Sequence, residues 1–249
     1  NGNSQDASWW ARNRKLLAEH PGLFFQKVST WLHPMRKDYR GRWNVSLRRW
    51  LIHYQTDVLF NKVSWMGVPA WKNVLDAWVY QEIIHEVRPE IIIEIGNANG
   101  GSTLYLANLL DLIGAGEVIG VDIDHSKFKV QHPRISLVTG DSSSPETLAA
   151  VKSLARGRTG LVIHDGDHSR EHVLQDLRAY AEYVSAGSYL IVEDTVIDLF
   201  RSGDGLGNIN GPLKAVEDFV REDLRFRVDM ERESFVLTFN PQGYLKRMS

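Results

Sequence analysis

Residues 90–102 read EIIIEIGNANGGS, a β-branched run followed by a glycine-rich turn. The run predicts a buried strand over Glu90–Ile95, and the turn predicts a helix that begins near Gly101. Glycines at positions 96, 100 and 101 would let the backbone approach a ligand closely just before that helix. The spacing departs from the G-x-G-x-x-G pattern of dinucleotide-binding folds. The segment therefore predicts a ligand site after the first strand of an α/β unit.

Strands and helices alternate on both sides of this unit. Apolar residues recur at helical spacing from Val74 to Val87, and Pro89 ends that helix. Unbroken apolar strands that alternate with helices indicate a parallel sheet covered by helices on both faces. The later elements predicted by the same patterns are the helix Ser102–Leu112, the strands Glu117–Val121 and Arg134–Thr139, the helix Pro145–Arg156, the strand Gly160–Ile163, the helix His172–Tyr183, the strand Ser188–Val192 and the helix Pro212–Arg221.

The end of the chain predicts a different arrangement of strands. Arg225–Asp229 and Ser234–Phe239 alternate in polarity and are joined by a short polar turn, Met230–Glu233, so they predict an antiparallel hairpin. Five parallel strands followed by a hairpin are similar to the Rossmann-like class I methyltransferases, whereas the six strands of dehydrogenases are all parallel. We therefore expect an α/β fold with a mostly parallel seven-stranded sheet and a C-terminal antiparallel hairpin.

Composition excludes several classes of protein. The chain has 249 residues, 43% of them hydrophobic and 24% charged, with a net charge of −2, which excludes disordered and fibrous classes and gives no sign of a nucleic-acid partner. It contains no cysteine, so disulfides and thiolate metal sites are excluded, which is compatible with a reducing cytoplasm. No apolar run approaches the roughly 18 residues that span a bilayer. The first residues lack the features of a signal peptide, and we expect a cytoplasmic protein without a membrane partner.

The charge is distributed unevenly along the chain. Residues 1–60 carry ten Lys and Arg against four Asp and Glu, net +6, whereas residues 61–249 have a net charge of −8. The first part is also rich in tryptophan and reads as short helices, so we expect a basic helical appendage over residues 1–64 and the main domain over residues 65–249. Such a segment could hold a phosphorylated ligand or a nucleic acid, but amphipathic helices that pack their Trp side chains on a neighbouring surface are the simpler interpretation.

Acidic residues follow the second and third strands. Open α/β sheets bind ligands beyond the carboxyl ends of their strands. Asp122 lies there, about 20 positions after the glycine turn, where a carboxylate can accept hydrogen bonds from a ribose diol, and Asp141 could meet an adenine amino group. NAD and S-adenosylmethionine both fit. Glu94 favours S-adenosylmethionine because its charge would attract a sulfonium group and repel a pyrophosphate. The predicted contacts of this cofactor are Glu94, Gly96, Gly100, Gly101, Ser102, Asp122 and Asp141.

A second group of acids follows the fourth and fifth strands. Residues 164–168 read HDGDH and residues 193–195 read EDT. Carboxylate oxygens suit a hard divalent ion such as Mg²⁺. Successive strand residues point to opposite faces, so Glu193 and Asp194 can share one ion only if the strand ends near Glu193. Without the nucleoside signals, the same acids would be read as helix caps and solvated loops.

Taken together, these motifs resemble the cephalosporin-hydroxylase-like family, and the likeness covers roughly residues 65–198. That family consists of S-adenosylmethionine- and Mg²⁺-dependent O-methyltransferases. It includes enzymes that methylate deoxysugars such as rhamnose in macrolide, enediyne and glycolipid biosynthesis. The segments that carry the resemblance are Trp78–Glu82, Glu94–Ser102, Ile119–Asp124, Asp165–His168 and Val192–Thr195.

The resemblance also implies roles for individual residues. Its metal ligands fall on Asp165, Glu193 and Asp194, and its general base falls on His168. Some members have Ser-Asn where this chain has Gly166-Asp167, which gives this chain an additional carboxylate. His164, at the end of a strand, is interpreted as a structural histidine. Candidate contacts of the acceptor are Lys72, Tyr80, Gln81 and Asp167.

We therefore expect an S-adenosylmethionine- and Mg²⁺-dependent O-methyltransferase that acts on a hydroxyl of a sugar. The acceptor would be a deoxysugar such as rhamnose on a nucleotide or natural-product carrier, as in antibiotic biosynthesis, and a homo-oligomer is left open. One alternative is methylation of a catechol-like diol, which also chelates Mg²⁺. A hydroxylase or other oxidoreductase is less well supported, because no 2-His-1-carboxylate spacing is evident. A non-enzymatic S-adenosylmethionine-binding module would not need the second group of acids.

Overall fold

The computed structural model describes residues 40–199 and 210–249. A small antiparallel ribbon, β1 (Ser64–Trp65) and β2 (Val68–Pro69), precedes a seven-stranded sheet. The strands of this sheet are β3 (Ile91–Ile95), β4 (Glu117–Asp122), β5 (Ile135–Thr139), β6 (Gly160–His164), β7 (Tyr189–Val192), β8 (Phe226–Val228) and β9 (Tyr244–Arg247).

Their order in the sheet is β5-β4-β3-β6-β7-β9-β8. The first five pair in parallel, and β9 is antiparallel to both β7 and β8. This arrangement confirms the predicted fold class. Strands β3 to β8 agree with their predicted bounds within one residue at each end.

Helices cover both faces of the sheet. Polar side chains cap the N-termini of several helices. Asn73 accepts a hydrogen bond from the Leu75 amide, and Ser144 accepts one from the Thr147 amide. The α-helices are α1 (Leu47–His53), which continues through a π-helical stretch (Tyr54–Leu59) and one further turn (Phe60–Lys62), α2 (Val74–Val87), α3 (Gly101–Ile113), α4 (Pro145–Ala155), α5 (Arg170–Tyr180) and α6 (Pro212–Glu222). Short 3₁₀ turns lie at Arg40–Arg42, Ala181–Tyr183, Thr195–Leu199 and Met230–Glu233.

The apolar core lies in two layers on either side of the sheet. All five residues of β3 are buried, and they alternate between the layers. Ile91, Ile93 and Ile95 belong to the layer that includes buried residues of α4, α5 and α6, and Ile92 belongs to the layer formed with α2 and α3. A strand that is apolar on both faces is expected at the centre of a parallel sheet. This burial fixes the position of the turn that follows β3.

The predicted second strand of the hairpin, Ser234–Phe239, is wrong. The antiparallel partner of β8 is β9, which comes later in the chain. Val236 has a φ of +65°, which β strands exclude, and its side chain is 71% exposed. Thr238 is buried and donates a hydrogen bond to the carboxylate of Asp76. The segment is therefore a loop held by α2, although its alternating polarity is typical of a strand.

A third apolar cluster connects α1 and its continuation to the main fold. Leu51, Tyr54 and Leu59 pack there with Val196 and Phe239. Most of the predicted appendage, including Trp9, Trp10 and Trp31, lies outside the described residues, and the predicted boundary at residue 64 stays a prediction. Over the described part of the chain, none of the helices combines the length and the apolar character that crossing a membrane requires.

Candidate active site

A cavity of about 570 Å³ opens at the carboxyl ends of β3 to β7. We call its wall after β3, β4 and β5 the glycine-turn half, and its wall after β6 and β7, together with residues 55–72, the acid half. The predicted site residues that line the cavity are Lys72, Gly96, Ser102, Asp122, Asp141, Asp165, Asp167, His168 and Asp194. The predicted residues that do not line it are Tyr80, Gln81, Glu94, Gly100, Gly101 and Glu193.

Gly96 joins the two halves of the cavity. Its φ is +89°, a conformation that glycine tolerates best, and a Cβ atom there would lie 1.9 Å from the backbone oxygen of Asp165. The backbone of the turn therefore lies directly against Asp165, the first residue after β6. Gly101 is equally confined, because a Cβ on it would lie 2.2 Å from the carbonyl oxygen of Pro69.

Asp122 holds the glycine turn in place. Its Oδ2 accepts hydrogen bonds from the backbone amides of Asn97 at 2.7 Å and Ala98 at 2.9 Å. Its Oδ1 accepts one from the amide of Asp124 at 3.1 Å. The carboxylate lines the cavity while it makes these bonds. Asp122 can therefore position the turn and still present an acceptor to a bound molecule.

Glu94 is fully buried beneath the turn. Its Oε2 accepts hydrogen bonds from Thr103 Oγ1 at 2.5 Å and from Asn97 Nδ2 at 2.8 Å. Its Oε1 has no hydrogen-bond partner and lies 3.8 Å from Lys72 Nζ. The charge of Glu94 therefore acts from behind the cavity wall.

A network of polar side chains supports the far end of the glycine-turn half. Asp176, on α5, is buried and accepts hydrogen bonds from Ser142 Oγ at 2.7 Å and from His164 Nε2 at 3.0 Å. Ser142 Oγ also lies 3.0 Å from Nε2 of His172, which lines the cavity. His164 is thus buried in this network, as expected of a structural histidine. No sequence motif predicts His172 as a site residue. It lines the cavity because it lies in the first turn of α5.

Asp141 lies beside this network at the cavity surface. Its Oδ1 accepts hydrogen bonds from the backbone amide of Ser143 at 2.9 Å and from Ser143 Oγ at 2.8 Å. These bonds lower the pKa of the Asp141 carboxyl below its ordinary value. Asp141 is therefore a fixed anionic acceptor at neutral pH.

Three side chains of the acid half converge on one point. Asp165, His168 and Asp194 each offer a ligand atom, and these atoms lie within 4.8 Å of one another. His168 Nε2 is 3.5 Å from Asp194 Oδ2, whereas His168 Nδ1 is buried without a hydrogen-bond partner. The two carboxylates offer oxygen ligands of the kind that suits Mg²⁺, and the imidazole lies beside them.

The turn after β7 separates the two neighbouring acids. The strand ends at Val192, and Asp194 has a left-handed φ of +57°. The amide of Asp194 donates a hydrogen bond to Asn240 Oδ1 at 3.1 Å, which fixes the turn. Burial raises the pKa of the Asp194 carboxyl to about 6, while the neighbouring His168 acts in the opposite direction. Asp194 joins the convergent group, but Glu193 does not.

Glu193 instead binds Lys72. Lys72 is 6% exposed, and its Nζ lies 2.6 Å from Glu193 Oε1 and 2.6 Å from Asp165 Oδ2. Burial acts to lower the pKa of Lys72, but the charges of Asp165, Glu193 and Glu94 outweigh it, so the pKa is raised. Burial raises the pKa of the Glu193 carboxyl, and the charge of Asp165 adds to this effect. Lys72 is therefore a charged member of the acid half.

The other candidate acceptor contacts occupy different positions. Tyr80 is 1% exposed in the core, where its hydroxyl accepts a hydrogen bond from Asn240 Nδ2. Gln81 lies on α2 outside the cavity lining. Asp167 does line the cavity, and its Oδ1 accepts a hydrogen bond from the Ser169 amide at 2.6 Å. Among these three residues, the geometry supports contact with a bound acceptor only for Asp167.

Apolar side chains form the outer rim of the acid half. Phe60 and Trp71 line the cavity, 50% and 37% exposed, with ring centroids 5.3 Å apart in an edge-to-face arrangement. Leu59 and Ile197 line the same wall. No periodic pattern in the sequence predicts this rim, because Phe60 lies in the helical turn that follows α1 and Trp71 lies in the loop after β2.

The sheet and the cavity define a class I methyltransferase fold. An antiparallel β9 lies between β7 and β8, a glycine turn follows β3, and acids follow β4, β5, β6 and β7. The chain belongs to the rhamnosyl O-methyltransferase/CmcI family, whose family model matches residues 57–248. This confirms the resemblance seen in the motifs and the prediction of an S-adenosylmethionine-dependent O-methyltransferase.

Individual relatives agree with this assignment. The chain is 35% identical over 202 residues to a rhamnosyl O-methyltransferase of Mycobacterium bovis (strain BCG / Pasteur 1173P2), covering 78% of this chain and 82% of the relative. It is 34% identical over 206 residues to the rhamnosyl O-methyltransferase of Mycobacterium leprae (strain TN), covering 78% and 87%. A solved CmcI structure with Mg and SAM matches with a TM-score of 0.59 at 22% identity, over 76% of this chain and 78% of that one. The latter likeness supports the fold.

Proposed function

We propose that this protein transfers the methyl group of S-adenosylmethionine to a hydroxyl of a sugar in a reaction that requires Mg²⁺. The observation that carries the proposal is that one cavity joins the glycine turn to the convergent Asp165, His168 and Asp194. A nucleoside-containing donor and a metal-bound acceptor can therefore meet in the same space. Curated relatives that cover most of the chain are named rhamnosyl O-methyltransferases.

The glycine-turn half would bind the cofactor. Asp122 presents its carboxylate where the ribose hydroxyls of a ligand on this turn would lie, as in other folds of this type. Asp141 and His172 line the next part of the wall and suit the adenine. Glu94 lies behind the turn without a hydrogen-bond partner for Oε1, and its charge would stabilise a bound cation through the wall.

Asp165 and Asp194 would hold the divalent ion, with His168 beside it. When bound, the ion would supply a Lewis acid that stabilises the developing alkoxide of the acceptor. Asp165 is fixed by its hydrogen bond from Lys72, and Asp194 is fixed by the turn bound to Asn240. Both carboxylates are thus oriented before any ligand arrives, which favours reaction in one geometry.

His168 would act as the general base. Its side chain is 34% exposed beside Asp194, and the buried Nδ1 leaves Nε2 as the nitrogen that can take a proton. The neighbouring Asp194 carboxylate would stabilise the imidazolium that results. A hydroxyl is a weak nucleophile at neutral pH, so this proton transfer would assist attack on the methyl group.

The acceptor would lie between this centre and the apolar rim. A deoxysugar has a hydroxylated edge and an apolar face, and the acid half presents carboxylates on one side and Phe60 and Trp71 on the other. Aromatic rings provide large apolar surfaces for such a face. We extend the proposal to a rhamnose-like sugar on a natural-product carrier. Antibiotic biosynthesis, a cytoplasmic location and a homo-oligomer stay predictions.

The experiment combines ligand binding with turnover. S-adenosylmethionine and its demethylated product should raise the melting temperature, because a ligand that binds only the folded state stabilises it, and NAD should not. Mass spectrometry should then detect one added methyl group on rhamnosides with a vicinal diol, with activity lost in EDTA and restored by Mg²⁺. Full activity in EDTA would remove the metal from the proposal. Faster methylation of catechols than of sugars would favour an aromatic diol as the acceptor.

A further inference from the structure

The π-helical continuation of α1 forms part of the cavity wall. Tyr54 and Leu59 are its two buried residues, and both pack in the apolar cluster with Val196 and Phe239. The hydroxyl of Tyr54 also accepts a hydrogen bond from the amide of Val74 at 3.3 Å. These contacts hold the stretch against the main fold at both of its ends.

The wider turn of a π-helix decides which side chains of this stretch face the cavity. Side chains three or four positions apart share a face of an α-helix, whereas the hydrogen bonds of a π-helix join residues five positions apart. Tyr54 and Leu59 have this wider spacing, and both reach the apolar cluster. Gln55 and Phe60 have the same spacing, and both line the cavity. The π-helical stretch thus places one side-chain amide beside the aromatic rim.

Gln55 is the polar side chain that this stretch offers to the cavity. It is partly buried, and within residues 40–199 and 210–249 its side-chain amide makes no hydrogen bond. Lys72, a charged residue of the same wall, is already bound to Asp165 and Glu193. A glutamine amide has two donor hydrogens and an acceptor oxygen, so it can bond a hydroxyl either way. Gln55 therefore presents unused hydrogen-bonding capacity to a ligand in the cavity.

Gln55 and the convergent acids belong to one continuous wall. Phe60 contacts Trp71 with ring centroids 5.3 Å apart, and the next residue, Lys72, bonds to Asp165 at 2.6 Å. The carboxylates disfavour an anionic group in this space, whereas a sugar hydroxyl carries no charge. A sugar with one edge at the acids and its apolar face on the rings would therefore direct another hydroxyl to Gln55.

We propose that Gln55 is a specificity-determining residue that hydrogen bonds a hydroxyl of the acceptor sugar other than the hydroxyl that is methylated. The inference rests on the proposed function, because it requires a sugar in the cavity. Gln55 precedes residues 57–248, which the family model matches, so the family assignment does not cover it. A site that bonds a substrate hydroxyl discriminates against an analogue without it, since the polar group of the site is then left unpaired.

Kinetics with methyl α-L-rhamnopyranoside and its monodeoxy analogues tests this inference. Gln55→Ala should lower kcat/KM for the parent sugar about tenfold, because it removes a hydrogen bond to the substrate. The analogue that lacks the bonded hydroxyl should be methylated equally well by the wild type and by Gln55→Ala, since the interaction is then absent from both. An analogue that retains both the bonded and the methylated hydroxyl should keep the full difference between the two proteins.

Controls separate recognition of the acceptor from a structural role. In Gln55→Ala, calorimetry should give an unchanged Kd for S-adenosylmethionine and for Mn²⁺, which reports on the proposed Mg²⁺ site, because Gln55 belongs neither to the glycine turn nor to the convergent acids. Gln55→Leu retains the bulk of the side chain and should show the same loss of kcat/KM, so altered packing would not account for it. Gln175 is exposed on α5 outside the cavity lining, and Gln175→Ala should leave kcat/KM for every sugar unchanged.

The outcomes separate this inference from the proposed function. No loss of kcat/KM in Gln55→Ala, or an equal loss for the parent sugar and every analogue, would overturn the inference and leave the proposed function intact. Losses of cofactor and Mn²⁺ affinity as large as the loss of kcat/KM would also overturn it, because Gln55 would then support the fold of the whole cavity. Absence of methylation of every rhamnoside by the wild type would overturn the proposed function and this inference together.

Discussion

The two halves of the cavity are assembled over different distances along the chain. In the glycine-turn half, Asp122 bonds to the amides of Asn97 and Ala98, 25 and 24 positions away, across the adjacent ends of β3 and β4. In the acid half, Lys72 bonds to Asp165 and Glu193, 93 and 121 positions away. The first half therefore depends on one strand pair and its turn, whereas the second depends on segments brought together by the whole fold.

The largest effect is expected where the halves meet. Gly96→Ala places a Cβ atom 1.9 Å from the backbone oxygen of Asp165 at a φ of +89°. Neither backbone can move freely, because β3 and β6 are adjacent central strands. We expect a loss of more than about 4 kcal/mol in the free energy of unfolding, measured by urea denaturation, with loss of both cofactor and Mn²⁺ binding.

Gly157→Ala is the matched control for Gly96→Ala. Gly157 has a φ of +76°, but a Cβ atom on it would meet nothing within 4 Å. Its loss should be about 1–2 kcal/mol, the cost of the left-handed backbone alone. Equal losses in the two variants would show that the contact between the halves is unimportant.

The second prediction separates the halves by their function. His168→Ala should lower kcat by about 10²–10⁴-fold, because a general base acts in the transition state. The Kd for S-adenosylmethionine should stay nearly unchanged, since His168 lies in the acid half. Kinetics and calorimetry on the same preparation measure the two quantities.

Asp122→Ala provides the reciprocal test. It removes the acceptor for two amides of the turn and should weaken S-adenosylmethionine binding about tenfold or more. Mn²⁺ binding should be retained, because Asp122 makes no contact with the convergent acids among its hydrogen bonds. A His168 variant that keeps more than about a tenth of the wild-type kcat would contradict the assigned role.

The difference in sequence separation between the contacts of the two halves explains which parts of the cavity the sequence predicts. Gly96 and Asp122 follow adjacent strands, so their spacing alone predicts that they meet. Asp165 and Asp194 are predicted in the same way, because parallel strands end at one edge. The contact of Lys72 with these acids has no local signal, since it depends on where the loop after the β1–β2 ribbon packs. The sequence predicts Lys72 as a contact of the acceptor and gives no sign of its hydrogen bonds to Asp165 and Glu193.

The incorrect prediction of a strand at residues 234–239 also results from a contact between distant parts of the chain. The alternating polarity of the segment predicts a strand, but hydrogen bonds to a residue on α2, two of them from the segment itself, decide its structure. Asp76 accepts bonds from Thr238 Oγ1 at 2.6 Å, the Phe239 amide at 2.9 Å and the Tyr244 hydroxyl at 2.9 Å. A long-range polar contact thus overrides the local pattern. The adjoining Asn240 holds the turn at Asp194, so this loop supports the acid half.

The third prediction tests that support. Asp76→Ala would leave three donors without their acceptor at a site where Asp76 is 4% exposed. We expect a loss of about 3 kcal/mol in the free energy of unfolding, measured by chemical denaturation. Asp76→Asn should lose less, because its Oδ1 can still accept two bonds. In folded protein, Mn²⁺ affinity should fall more than cofactor affinity, and the reverse order would contradict the comparison of the halves.

The smallest predicted effect concerns the apolar rim. Trp71 is 37% exposed at the cavity, and its ring packs edge to face with Phe60. Trp71→Ala removes an apolar surface that would contact the sugar face in the ground state and in the transition state alike. We expect KM for a rhamnoside to rise about threefold to tenfold with kcat little changed, because such ring contacts contribute about 0.5–1.5 kcal/mol.

Trp78 provides the control for this last variant. It is 59% exposed, lies outside the cavity lining, and donates a hydrogen bond from Nε1 to Glu82 Oε1 at 3.2 Å. Trp78→Ala should therefore leave KM for the rhamnoside unchanged. A comparison with an acceptor that lacks the 6-methyl group of the deoxysugar sharpens the test, since loss of that group should reduce the effect of Trp71→Ala. An equal rise in KM for both variants would indicate a general loss of structure and would remove Trp71 from the acceptor site.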